Sequence, residues 1–330
     1  VRLALSARRQ ASFFVHTLKG GHVRANTLET SSRSTRSRAR AKRWRKQVGL
    51  LFVLPSVAFV AVFFLAPLAM TAWMSLFEWP LLGAKRFIGA QNYAALLSDA
   101  NFWSSLGFTA RYTLVVTPVL FVLAFALALL VKQPSRFVGL FRTAYFLPVV
   151  IGLSTSSLLW VWLLNDQVGV FNAGLAALGV IREPFFWLAT TGSAMTAIVV
   201  MVTWKMVGLT MLLLLIGMQA IPHEFYEAAK VDGASKLAQL RFITLPLMRR
   251  TFALALVLSV IGSFLAFDPM YIMAGGGPQN STITTVYWIF KAAFVQFKLG
   301  YAAALSMVLL VILIAVSVVQ LYLLRDDTRY

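Results

Sequence analysis

The chain has 330 residues, 59% of them hydrophobic and 12% charged, about half the charged share of an ordinary soluble domain. Mean hydropathy is +0.78, so lipid is the expected solvent; the length would allow two soluble domains, but the apolar blocks argue for one helical membrane bundle. There is no cysteine and only His16, His22 and His223, which excludes disulfides, thiolate metal sites and a Cys nucleophile and leaves no expected metal site and no catalytic residue.

The formal net charge is +19, from thirty Lys+Arg against eleven Asp+Glu. Thirteen of the basic residues fall in residues 1–47, where Glu29 is the only acid. The excess therefore reads as a basic, unstructured tail on a membrane body, drawn to anionic lipid rather than to a specific nucleic acid. Its longest apolar patch, Ala11 to Val15, is too short for a secretory signal.

Six spans are expected, at about 48–73, 112–131, 143–164, 195–221, 251–267 and 299–324, the first of them free of charge and long enough for about 30 Å of hydrocarbon. Pro55 and Pro67 bend or bound the first, and Pro148 lies near one end of the third. Residues 74–105 and 165–190 read as mixed loops. Residues 273–298 hold the run AGGGPQNST and an apolar piece, Ser281 to Phe290, too short to cross. Lys205 lies inside the fourth span, Asp268 closes the fifth, and residues 325–330 form a short charged tail.

An even number of spans puts both termini on one side, and charge says which. Segments sharing that side (1–47, 132–142, 220–250, 325–330) carry 23 basic residues, the opposite loops five; without the tail the balance is still 10 to 5. The termini and residues 222–246 are expected in the cytoplasm. Trp73, Trp79, Trp160, Trp162 and Trp187 then fall near the outer interface as an aromatic belt.

Residues 224–246 read EFYEAAKVDGASKLAQLRFITLP. Pro222 breaks the fourth span before them. Phe225 to Asp232 suits two helical turns, Gly233 a positive-φ cap, and Ala234 to Ile243 a second short helix limited by Pro246. Ala228 and Ala229 leave one face small, with Glu227 and Asp232 beside it. An ordinary interfacial helix would account for the composition. The spacing goes further: Glu227-Ala228-Ala229, three residues, Gly233, nine residues, Ile243-Thr244-Leu245-Pro246. This resembles the EAA loop of ABC importer permeases, E-A-A-x3-G-x9-I-x-L-P, at every defined position. FIGAQNYAALLSD (87–99), FRTAYFLP (141–148), AAKVDGAS (228–235) and FDPMYIMAGGGPQNST (267–282) resemble the carbohydrate-type (MalF/UgpA/LacF-like) branch, so that the likeness covers roughly residues 48–324.

The resemblance implies an all-α integral membrane protein with the type I ABC importer permease fold, in a bacterial or archaeal inner membrane. It implies that Glu227, Ala228, Ala229, Asp232, Gly233, Ile243, Leu245 and Pro246 belong to coupling helices docked on an ATPase. The implied partners are a second homologous permease, two copies of that ATPase carrying ATP and Mg, an extracytoplasmic binding protein, and membrane lipid. No Walker A pattern occurs here: Gly20-Gly21 and Gly275 to Gly277 lack the following Lys-Ser/Thr. No bound cofactor and no hydrolysis are expected of this chain.

A sugar path needs hydrogen-bonding groups and aromatic faces. The candidates are Trp160, Asn165, Trp204, Lys205, Asp268 and Tyr271. Lys205 stands out, because an ionisable group within a span is costly: it could line the path, pair with Asp268, or snorkel. A cationic path would suit glycerol phosphate or a glycerophosphodiester, but one lysine is a weak anion signal, and sugar is favoured. An ion-gradient transporter would need inverted repeats and midplane carboxylates; no repeat is evident, and Asp268, at a span end, is the only acid in a span.

Overall fold

The computed structural model describes residues 52–132 and 136–324. The expectations for the tail at 1–47 and for residues 325–330 lie outside the described residues. The chain divides at Pro67/Leu68 into two units. The described part of the first is the N-terminal stretch of helix α1 (Phe52–Met74). Its side chains from 52 to 67 are exposed except for Ala61, an apolar surface suited to lipid rather than water.

The described residues of the second unit are mostly helical, with a two-residue antiparallel pair, β1 (Phe77–Glu78) with β2 (Arg86–Phe87). Then come α2 (Gln91–Leu97), α3 (Ala100–Val131), α4 (Val138–Val150), α5 (Leu153–Leu163) and α6 (Val170–Ala177). They are followed by α7 (Thr191–Gln219), α8 (His223–Val231), α9 (Lys236–Gln239), α10 (Arg249–Phe264) and α11 (Asp268–Ile272). The chain ends with α12 (Thr285–Phe290) and α13 (Leu299–Leu323).

Among the described residues, five helical stretches are long and apolar enough to cross: α1, α3, α7, residues 249–272 (α10 with α11), and α13. The expected third span is not one helix. It is the pair α4 and α5, bent by 98°. The cause is local. Pro148 has no N–H for the helix ladder, and Ile151 (φ −70°, ψ 138°) and Gly152 (φ −58°, ψ 148°) leave the helical region. The second span also begins earlier than hydropathy suggests. Asp99 accepts the Asn101 N–H at 2.9 Å as the cap of α3, so part of the stretch read as a loop at 74–105 is helix.

α7 is the centre of the bundle: 61% of its most apolar stretch is buried, against 33% for α3 and 28% for α13. It packs most extensively on α3, then on α4, and also touches α5, α10 and α11. One buried cluster gathers Phe102, Tyr112, Ile198, Met201 and Met270. A second, toward the loop after α7, gathers Leu120, Met211, Leu214, Met218 and Met248. Fully burying such a side chain contributes about 1.5–3 kcal/mol relative to water. Within lipid that gain largely vanishes, and close packing and hydrogen bonds decide the arrangement. The close contacts around α7 therefore carry the site.

Candidate coupling surface and the broken span

α7 ends at Gln219, and Pro222, with non-helical ψ 137°, turns the chain into α8. Glu224 lies in the first turn of α8 and Lys230 in its last, both favourable to the helix dipole. The C-terminus is a Schellman cap: Gly233, at φ +75°, donates its N–H to the Lys230 carbonyl at 3.0 Å, and Ala234 donates to Ala229 at 2.8 Å. Gly233 is needed because a Cβ disfavours this backbone region. Ser235 then caps α9, its Oγ accepting the Ala238 N–H at 3.2 Å. The helix after the cap differs from the expected one. It passes through a π turn at Leu240–Thr244 and runs on through Pro246 to Leu247 before breaking at Met248 (φ −87°, ψ 0°).

The expected coupling residues divide between two faces. Glu227, Ala228, Asp232 and Gly233 are exposed, and Glu227 pairs with His223 Nδ1 at 3.1 Å. Ala229, Ile243 and Pro246 are half-buried and Leu245 is exposed, with Ile243 packed on the second core cluster. The Tyr226 hydroxyl bonds Thr244 Oγ1 at 2.9 Å, and Lys132 Nζ lies 4.2 Å from the Tyr226 ring centroid. The loop is thus anchored to the bundle on one side. On the other it presents carboxylates beside exposed apolar side chains, with Val231 88%, Leu237 73% and Phe242 72% exposed.

Lys205 sits at the midpoint of α7, fourteen residues from each end, or about 21 Å at 1.5 Å per residue. Its side chain cannot snorkel that far. It is 3% exposed. Its Nζ donates to the carbonyls of Pro148 (3.2 Å), Val149 (3.5 Å) and Ile151, which are the carbonyls freed at the end of α4 and the joint. A cation there also suits the negative end of the helix dipole. One helical turn on, the backbones of α7 and α4 touch: a Cβ on Gly208 would lie 2.0 Å from the Tyr145 carbonyl oxygen.

Asp268 lies on the other side of the same joint. Its Oδ1 accepts the Ser154 hydroxyl, in the first turn of α5. The other candidates spread out. The rings of Trp160 and Trp204 are 5.8 Å apart, and the buried Trp160 indole N–H has no partner among the described residues. Asn165 Oδ1 accepts the Gln167 and Val168 N–H groups at 2.9 and 3.0 Å, closing the turn after α5. Tyr271, 45% exposed, stacks on Phe267 at 5.1 Å and meets Tyr287 and Phe290 at 5.4 and 5.5 Å. Lys205 and Asp268 are therefore brought to one joint without pairing with each other.

Two features carried no sequence signal. Ser154 is an ordinary helix serine until Asp268 is placed beside it. Asp99 Oδ2 accepts the Tyr301 hydroxyl at 2.6 Å and the Trp288 indole N–H at 3.0 Å, fastening the start of α3 to α12 and α13. Burial alone would raise the Asp99 pKa. The bonds from Tyr301, Trp288 and the Asn101 and Phe102 N–H groups outweigh it and hold the carboxyl below its ordinary value.

Residues 124–326 match the family described as "Binding-protein-dependent transport system inner membrane component". The chain is 34% identical over 298 residues to the lactose transport system permease protein LacF of Rhizobium radiobacter, covering 89% of this chain and 99% of that one. It is 34% identical over 279 residues to the trehalose/maltose transport system permease protein MalF of Thermococcus litoralis, covering 83% and 92%. It is 30% identical over 282 residues to the sn-glycerol-3-phosphate transport system permease protein UgpA of Agrobacterium fabrum, covering 85% and 95%. Among solved structures, a chain of a bacterial ABC transporter involved in the import of the acidic polysaccharide alginate has the same fold. The TM-score is 0.76 at 20% identity, over 88% of this chain and all of that one.

Proposed function

Since the chain belongs to the binding-protein-dependent transport system inner membrane component family, we propose that it forms half of the translocation path of an ATP-driven sugar importer. In this reading its partners are a second permease of the same fold, two ATPase subunits and an extracytoplasmic binding protein. Its own role is passage and coupling, with ATP and Mg held by the ATPases. In the same reading both termini and residues 222–246 face the cytoplasm of an inner membrane, which the basic-residue asymmetry supports.

The observation that carries the coupling role is the Schellman-capped α8, with Glu227, Ala228, Asp232 and Gly233 exposed on it. It hangs between two membrane-crossing stretches; the Tyr226–Thr244 bond closes the loop on itself, and Tyr226 and Ile243 pack on the bundle. Glu227→Ala tests it. Uptake is expected to be lost while the binding protein still captures its ligand; unchanged uptake would overturn the coupling role.

A sugar is favoured over a phosphorylated polyol for a physical reason. The phosphate reading drew its support from Lys205, and an ammonium has three N–H donors. All three have carbonyl partners at Pro148, Val149 and Ile151, so Lys205 has little left for an anion. The exposed Tyr271 ring, stacked on Phe267, suits the apolar face of a sugar ring. A panel of radiolabelled sugars and glycerol phosphates in uptake assays tests this; uptake confined to the phosphates would reverse it.

A further inference from the structure

The charged side chains on the two helical arms of the coupling loop each bond a different half of the broken span. The loop at 222–246 is flanked by α7 on its N-terminal side and by α10 with α11 on its C-terminal side. α7 holds α4: Lys205 grips the Pro148, Val149 and Ile151 carbonyls, and Gly208 brings the two backbones into contact. α11 holds α5: Asp268 accepts from Ser154, and α11 packs along α5. The two grips flank the 98° joint, whose non-helical residues are Ile151, its carbonyl held by Lys205, and Gly152.

We propose that Lys205 and Asp268 are paired positioning residues that make the joint at Ile151–Gly152 follow the relative displacement of the loop's two arms. The proposal rests on the coupling reading above. A push on α8 moves α7 and α10 unequally, because each meets the loop at its own end. Helices are stiff and extended residues are not, so the difference collects at the two joint residues. With only one grip, α4 and α5 would ride together on one arm and the joint would keep its angle. Both grips are needed, one on each half.

The retention of the charge fits this role. A lysine at the middle of a span is costly, and leucine or methionine would pack there at less cost. What the ammonium adds is a set of bonds to a helix end whose carbonyls have no ladder partner. Serine and aspartate do the equivalent on the other half.

The test uses the full complex, with the second permease, ATPases and binding protein, in liposomes. It reads sugar transported per ATP hydrolysed. Lys205→Met, Asp268→Ala and Ser154→Ala are each expected to lower that ratio roughly tenfold while the ATPases still co-purify and hydrolyse ATP. Asp268→Asn should restore it, since the amide oxygen still accepts from Ser154. The chain has no cysteine, so Leu147→Cys and Leu158→Cys, exposed at 62% and 61% on α4 and α5, can carry spin labels across the joint. Their separation should change on ATP binding, and the change should vanish with Lys205→Met. An unchanged transport ratio in Lys205→Met, or a label distance indifferent to ATP in the unmodified background, overturns the proposal. If Lys205→Met does not insert, Ser154→Ala and the Asp268 pair decide it. A wild-type chain that assembles with no ATPase would instead overturn the coupling reading itself.

Discussion

Gly208→Ala should loosen α4 from α7 and reach Lys205 through that contact. The new Cβ would lie 2.0 Å from the Tyr145 carbonyl oxygen and 2.9 Å from Phe146 Cα. Ordinary contact needs about 3.5 Å, so α4 must retreat by about 1.5 Å. The Lys205 bonds to Pro148 and Val149, at 3.2 and 3.5 Å, then open beyond hydrogen-bonding range. Overpacking costs about 1–3 kcal/mol, and the two lost interhelical hydrogen bonds, at about 0.6 kcal/mol each in a membrane, about 1 kcal/mol together, so the expected loss is about 2–4 kcal/mol. Unfolding of the detergent-solubilised protein by titrated denaturant measures it. Gly262→Ala in α10 is the control, because nothing lies within 4 Å of its Cβ position. The double variant with Lys205→Met should cost about 1 kcal/mol less than the sum of the singles, because both remove the same bonds. If Gly208→Ala matches Gly262→Ala in stability, or if the double variant is additive, the linkage between that contact and Lys205 is wrong.

Two further outcomes follow from the caps. At Gly233 no atom lies within 4 Å of an added Cβ and φ is +75°, so within the chain the constraint is conformational, worth roughly 1–2 kcal/mol. Gly233→Asn, which tolerates this region, should keep more uptake than Gly233→Val; equal loss in both would mean that a partner, not φ, forbids the side chain. At Asp99 the folded carboxyl titrates below its ordinary value. Its contribution is therefore full above the unfolded aspartate pKa of about 3.9 and is lost as pH falls through the lower folded value. Thermal unfolding from pH 6 downward should show a drop at the acid end that is smaller in Asp99→Asn; identical profiles would remove Asp99 from the account.

Hydropathy located the apolar blocks because lipid leaves little choice: a crossing segment must be long, apolar and internally hydrogen-bonded. It could not locate the break in the third span, because Ile151 and Gly152 are as apolar as their neighbours. The available cue was spacing. Pro148 and Gly152 stand four residues apart inside one block, and that pairing weakens a helix where a lone proline would only bend it. The start of α3 was misjudged for a related reason. In the sequence, residues 100–105 read as part of the mixed loop and the span as starting at 112, although Asp99 followed by an apolar run is an N-cap pattern.

The site was legible wherever it consisted of a local sequence pattern and illegible wherever it consisted of a meeting. Glu227 to Pro246 could be read because cap, turn and small face lie within twenty residues. Lys205 could be marked as costly from its position alone, but its partners could not be named. They are backbone carbonyls 54 to 57 residues away, and any residue type supplies those. Asp268 was marked as a possible partner for Lys205 because opposite charges are the visible way to neutralise a buried cation. The structure uses another way: the ends of a broken helix supply the negative pole for Lys205, and a serine 114 residues from Asp268 supplies its proton. Two opposite charges are spent separately on the two halves of one span. A direct pair would have tied α7 to α11 and left the joint between α4 and α5 free of both.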